Sequence, residues 1–272
     1  KKMMMKRNLK TIKYDIPTYK NIVRVPKVHL KDVPNLPFEL NENYQSVIPL
    51  KIFQTWKTKD LSPLLRENQE KLKRENPEFE YFLYDDEDCR QFISEYFGSV
   101  VLDAFDSLIP GAYKADLWRC CVLYVHGGIY LDMRFEMING FKLIALTEKE
   151  HFCLERYTAH WIPGKHGIYN AVMVSKPGNP FLMACIAQII LNVKTRFYGL
   201  NPLYPTGPGL LWLIHERNKK WIGKNIDIFH VEEGGYLVYM NRRILHSLDN
   251  YDSARSNTPY YAVAWEQRNI YK

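Results

Sequence analysis

Residues 112–134 constrain the fold of this chain more than any other stretch. Asp116 and Arg119 stand three apart in a run that includes Leu117, Trp118, Cys120, Cys121, Val122 and Leu123. Gly127-Gly128 follows, then Ile129-Tyr130-Leu131 and Asp132. The spacing predicts a helix over about 111–126 with Asp116 and Arg119 on one face. The glycine pair stops that helix, and a short strand delivers Asp132 at its carboxyl end. In open α/β sheets ligands bind beyond the carboxyl ends of the strands. Two carboxylates and a guanidinium around such an end suit a charged, phosphorylated ligand. One position is odd: Arg134 stands where a second acidic residue would complete a metal site.

The flanking sequence places this block within an α/β domain. Residues 1–47 hold Pro17, Pro26, Pro34 and Pro37 with little periodicity and read as a basic extended arm. Lys51–Thr55 reads as a first buried strand, and Ser62-Pro63 as the cap and first turn of a helix reaching about Arg74. A second strand is expected over Phe79–Tyr84, with Asp85-Asp86 opening the next helix. A short helix at about 100–107 precedes the long one. Strands are expected at 152–154, 171–174, 226–230, 236–239 and Tyr260–Ala264, with helices from Pro180 to about Val193 and over about 210–217. Strands alternating with helices in the first half imply a mostly parallel mixed sheet covered by helices. Nothing after residue 48 marks a boundary, so 48–272 reads as one domain.

The charge of the chain narrows its partners. Its net charge of +7 resides in residues 1–40, which hold ten Lys/Arg against three acids; the remainder is neutral. A neutral body argues against nucleic-acid binding, and the arm reads as a solvated extension or as a segment touching something anionic. Five cysteines without C-x-x-C spacing favour a cytoplasmic or other reducing compartment. No apolar run spans a bilayer, so any anchor would lie outside these residues.

Ala112-x-x-x-Asp116-Leu117-x-Arg119, continuing through Leu123-Tyr124 to Gly127-Gly128-Ile129-Tyr130-Leu131-Asp132, resembles the sugar-nucleotide signature of glycosyltransferase family 32. Members of that family transfer mannose, galactose or N-acetylglucosamine. Ile48–Trp56, Asn76–Asp86, Asn170–Phe181 and Thr206-Gly207-Pro208 are similar to further blocks of the family, in the same order. The resemblance implies a GT-A fold, a single Rossmann-like domain, and retaining transfer of a hexose or N-acetylhexosamine from a nucleotide-sugar to a glycan or other hydroxyl acceptor. A UDP-sugar is the first expectation for the donor and GDP-mannose the second. Carried over by position, Gln54, Thr55, Trp56, Tyr84 and Asp85 line the base and ribose site. Asp116 and Arg119 hold donor sugar and phosphate, with Gly127, Gly128 and Tyr130 completing the block. Asp132 is the first carboxylate of the family's Asp-x-Asp, Asn170 stands near the reacting centre, and Gly207 and Pro208 shape the acceptor side.

The departures from the family pattern carry their own chemistry. Phe53 replaces a frequent His, and Asp132-Met133-Arg134 lacks the second acid. One carboxylate beside an arginine makes a poor site for Mn²⁺ or Mg²⁺, so Asp132 is the sole metal ligand the block offers. Arg134 can instead do a cation's work on a diphosphate. A weak metal site, or a non-catalytic sugar-nucleotide-binding or scaffold protein of the same fold, are the other readings. Glu155 is the carboxylate to examine for a double displacement; front-side attack guided by the leaving phosphate needs fewer residues. His246, Trp265 and Arg268 are the C-terminal candidates for the donor site. Trp161, Trp212 and Trp221 could offer a stacking platform to an acceptor sugar, with core burial as the alternative.

Overall fold

Helix starts follow local chemistry. A computed structural model describes residues 27–41, 43–156, 166–248 and 260–272. The Ser62 hydroxyl accepts from the Leu65 amide at the head of α1 (Pro63–Glu75), with Pro63 in the first turn. Asp85 and Asp88 exchange side-chain-to-amide hydrogen bonds in a capping box that opens α2 (Asp86–Tyr96). Helix α3 (Ser99–Ser107) follows, then α4 (Gly111–His126). Asn179 caps α5 (Pro180–Lys194), and Gly207-Pro208 opens α6 (Pro208–Arg217).

Nine strands form one sheet among the described residues. They are β1 (Lys51–Thr55), β2 (Glu80–Tyr84), β3 (Gly128–Leu131), β4 (Phe135–Met137), β5 (His151–Leu154), β6 (Ile168–Ser175), β7 (Ile226–His230), β8 (Tyr236–Tyr239) and β9 (Arg242–Ser247). Their order is β2-β1-β3-β6-β5-β7-β8-β9-β4. Strand β1 pairs in parallel with β2 and β3, and β5 with β7; the remaining pairings are antiparallel. The α/β sheet flanked by helices is as expected, but its parallel share is smaller than the helix–strand alternation implied. The reason lies in the connections. Helical crossovers join β1, β2 and β3, whereas short turns join β7 to β8 and β8 to β9 and impose antiparallel pairing there; β3–β6, β5–β6 and β4–β9 are antiparallel as well. The β8–β9 hairpin turns on Met240 and Asn241, both at positive φ without glycine. That turn carries no strong sequence signal, and β9 and β4 were not expected.

The core lies on both faces of the sheet. On one face Phe53, Tyr130 and Met173 join α4, α5 and α6; on the other Ile52, Ile129, Leu131 and Val172 pack with Phe141, Leu143 and Leu146. Strands β3, β5 and β6 are buried at every position, which explains their continuous apolar character. All five cysteines are buried free thiols. Phe53, at the family's His position, stacks on Phe82 with ring centroids 5.1 Å apart. The described part of the arm lies on the body, where Val33 packs on Val231 and Val238, and Phe38 on Phe141.

One element differs in kind. Tyr260–Ala264 reads as a strand from its aromatic and β-branched residues, but Tyr261–Glu266 is helix α7. A helical turn instead puts Tyr261 and Ala264 on one face against the core, leaving Val263 outside. Packing overrides the local preference. Among the described residues no helix is long and apolar enough to cross a membrane.

Candidate active site at the end of strand β3

Helix α4 is buried nearly all round from Asp116 to Leu123. Charges placed there must find partners, because an unpaired buried charge is costly. They find one another. Arg119 Nη1 donates to Asp132 Oδ1 (3.2 Å) and to the Asn170 carbonyl (2.6 Å), while its Nη2 lies 3.4 Å from Asp116 Oδ1. Asp116 also accepts from Asn170 Nδ2 (2.8 Å) and from Thr206 Oγ1 (2.7 Å). Tyr130 donates its hydroxyl to Asp132 Oδ1 (2.7 Å), and the Arg119 guanidinium sits 4.4 Å from the Tyr130 ring centroid. Burial pushes the Asp116 carboxyl above its usual range, opposed by Arg119, Thr206 and Asn170. Burial also opposes the Arg119 charge, but Tyr130, Asp132 and Asp116 outweigh it and hold the guanidinium above its ordinary value.

The result is a graded site. The Asp116 side chain is 11% exposed and acts as a strut; the Asp132 side chain is 26% exposed and presents Oδ2 outward from its fixed Oδ1. Arg134 Nε lies 3.9 Å from that Oδ2. The loop carrying both is held at its backbone: Asn68 of α1 donates to the carbonyls of Met133 and Phe135, and the Leu248 amide donates to the Arg134 carbonyl. Arg134 also donates to the Tyr169 hydroxyl, and its guanidinium lies over the rings of Phe135 and Tyr169.

The expected site residues divide into those brought to this cluster and those that support it at a distance. Asn170 bridges Asp116 and Arg119. A Cβ on Gly207 would lie 3.1 Å from Asp116 Oδ2, so Gly207 and the α6 start at Pro208 adjoin the cluster. Gln54 is buried, donating to the Leu131 carbonyl and accepting from Tyr81, and so fixes the end of β3. Thr55 donates to the Tyr84 carbonyl, and Trp56 packs with Met133. The Tyr84 ring lies against Trp118, and Asp85 caps α2.

Gly127 and Gly128 are at the opposite end of β3 from Asp132. There Gly128, at φ +105°, admits the Lys51 carbonyl to a distance no side chain would allow. His246 pairs with Glu136 and stacks on Tyr236. Trp265 donates to the Tyr198 carbonyl, and Arg268 lies over the Tyr198 and Trp265 rings. These contacts of the three C-terminal candidates are with residues other than Asp132. Trp212 packs in the core, Trp221 against it, and Trp161 lies outside the described residues.

Thr206, Asn68 and Tyr169 were not expected as site residues. Thr206 stands in the Thr-Gly-Pro block and could have been found there. Asn68 and Tyr169 carry no sequence signal, since their roles depend on which strands adjoin. The Glu155 side chain is 8% exposed and is bound to His230 at 2.7 Å.

Divalent cations on a diphosphate require several oxygen ligands. Asp132 has one oxygen engaged by Arg119 and Tyr130 and the other facing Arg134. Among the described residues no group of three His, Cys, Asp or Glu could hold a metal. Among the described residues, the donor set at Asp132 does not fit a divalent ion.

The fold is of the GT-A glycosyltransferase type. Residues 62–150 match the family model described as a glycosyltransferase sugar-binding region containing the DXD motif, bearing out the resemblance read from the 112–132 block. Inositol phosphoceramide mannosyltransferase 3 of Schizosaccharomyces pombe is 31% identical over 183 residues, covering 65% of this chain and 47% of that protein. Mannosyl phosphorylinositol ceramide synthase SUR1 of Saccharomyces cerevisiae is 30% identical, covering 66% and 45%. The chain thus spans about half the length of these relatives. In structure it is similar to the PaToxG glycosyltransferase, with a TM-score of 0.50 and 17% identity over 65% of this chain and 74% of that one.

Proposed function

We propose that this chain transfers mannose from a nucleoside-diphosphate donor to a hydroxyl of a glycan or glycoconjugate, with retention at the anomeric carbon and without a metal. The observation that carries this reading is the arrangement at the end of β3: Asp132 fixed by Arg119 and Tyr130, with Arg134 facing its free oxygen. The mannosyltransferase names of the relatives support mannose, and in this reading the donor is GDP-mannose rather than a UDP-sugar. In this reading Asp132 Oδ2 accepts from donor-sugar hydroxyls. Arg134, a permanent cation with a bidentate fork, holds the diphosphate. Stabilising the departing charge in this way is worth about 3–4 kcal/mol for a well-placed donor. The acceptor oxygen forms its bond to the anomeric carbon as the bond to the phosphate oxygen breaks, and the acceptor's proton passes to the leaving phosphate. The pairing of Glu155 with His230 supports this front-side course over a double displacement.

The test is nucleotide release from GDP-mannose and from UDP-glucose, UDP-galactose and UDP-N-acetylglucosamine, with Mn²⁺ and with EDTA. The expected outcome is release from GDP-mannose that survives EDTA and falls at least about a hundredfold in Arg134→Ala. Full dependence on Mn²⁺ sinks the metal-free reading. Binding without turnover of any donor favours the scaffold alternative raised by the missing second acid.

A further inference from the structure

Three strand ends beside Asp132 carry a buried polar chain that the donor-site reading leaves unused. Glu155 follows β5, His230 ends β7, and Tyr169 lies near the start of β6, between them and β3. His230 Nδ1 donates to Glu155 Oε1 at 2.7 Å, with the two side chains 6% and 8% exposed. The His230 ring stacks on Tyr169, with centroids 4.4 Å apart and planes 25° apart. Phe135 packs against Tyr169 in a T-shaped contact, with ring centroids 6.2 Å apart. The Tyr169 hydroxyl accepts from Arg134 Nη2. Burial raises the Tyr169 phenol, against the pull of Arg134, which keeps it a neutral hydroxyl.

We infer that Tyr169, clamped by the Glu155–His230 pair, is the positioning residue that sets Arg134 for the β-phosphate of the nucleotide. The inference rests on the reading of Arg134 as the diphosphate-binding cation. An arginine on a loop has many rotamers, and a ligand that selects one of them bears the entropic cost itself. Here that cost falls within the fold. Tyr169 cannot turn away, because His230 covers one face and Phe135 packs against the ring, and His230 cannot turn because Glu155 holds Nδ1. Arg134 is thereby fixed from two sides, by the Tyr169 hydroxyl and by its backbone bond to Leu248. Glu155, His230 and Tyr169 touch neither sugar nor phosphate in this scheme.

The readout is the ratio of affinities for GDP and GMP, measured by calorimetry with UDP and UMP in parallel. A loss of folded protein or a shift of the base site changes both affinities together, whereas a misplaced Arg134 changes the ratio. Arg134→Ala is expected to lower the ratio about tenfold. Tyr169→Phe is expected to lower it about three- to tenfold with a melting temperature near that of the parent. His230→Ala lowers the ratio as well, and Glu155→Gln, which keeps an acceptor oxygen for Nδ1, restores it close to the parent value. An unchanged ratio in Tyr169→Phe and His230→Ala, with Arg134→Ala still defective, overturns the inference and leaves the donor reading standing. An unchanged ratio in Arg134→Ala, or no binding of any of the four nucleotides by the parent, overturns that donor reading instead.

Discussion

Arg119 and Asp132 belong to one ion-paired cluster yet do different work. Arg119 is 6% exposed and bridges Asp116, Asp132 and the Asn170 carbonyl, so its removal leaves buried Asp116 without its cation and Asp132 with Arg134 alone. Arg119→Met is expected to destabilise the fold by about 3–5 kcal/mol, read as a lower denaturation midpoint. Asp132 is more exposed and lies at the edge of the cluster. Asp132→Asn should cost about 1 kcal/mol of stability while nucleotide release falls at least about a hundredfold. An equal loss of stability in the two variants would contradict the division into strut and working carboxylate. At this scale the sequence was informative where chemistry is local. Asp116, Arg119 and Asp132 were legible as a charged group and Asn170 through the family resemblance, and the four meet. Gln54 was legible as a residue of the block but not as the support of Leu131, since that role needs Tyr81 beside it.

Strand β3 is the element on which the site depends, and its glycines explain its position. It runs between β1 and β6 and is buried throughout. A Cβ on Gly128 would meet the Lys51 carbonyl oxygen at 2.7 Å, and one on Gly127 would meet Pro177 at the same distance. Gly128→Ala therefore forces β1 and β3 apart and strains a positive φ. The expected cost is at least about 2 kcal/mol, with loss of nucleotide binding, although Asp132 stands at the other end of the strand. Thermal unfolding together with GDP titration checks this; full stability with intact binding would contradict it. The glycine pair was legible as a helix stop, which it is, but the closeness of the Lys51 carbonyl is a fact of strand pairing. The same limit explains α7, where residues suited to a strand form a helix that seats Tyr261 and Ala264 on the core.

For the molecule as a whole, half-buried His126 and buried His215 contribute to the response to acid. His126 lies among the rings of Phe53, Phe92 and Tyr96, and burial, assisted by Lys51, holds its pKa below the ordinary value. His215 is likewise lowered, first by burial. The folded chain therefore binds these protons less tightly than the unfolded chain. Their neutral forms are favoured in the fold, so stability is full above about pH 6.5 and is lost as pH falls toward the depressed folded values. The melting temperature should drop between pH 7 and pH 5, and the drop should shrink in His126→Gln; an equal drop in parent and variant would contradict the assignment. Sequence by itself determined the α/β class, most helix starts and the signature that joins Asp116, Arg119 and Asp132, because caps, glycine stops and 3.6-residue spacing act over a few neighbours. Tertiary structure alone decided the strand order, the antiparallel half of the sheet and the surroundings of Arg134. Those depend on which strand ends lie side by side, and it is this that brings Tyr169, His230 and Glu155 behind an arginine distant from them in the chain.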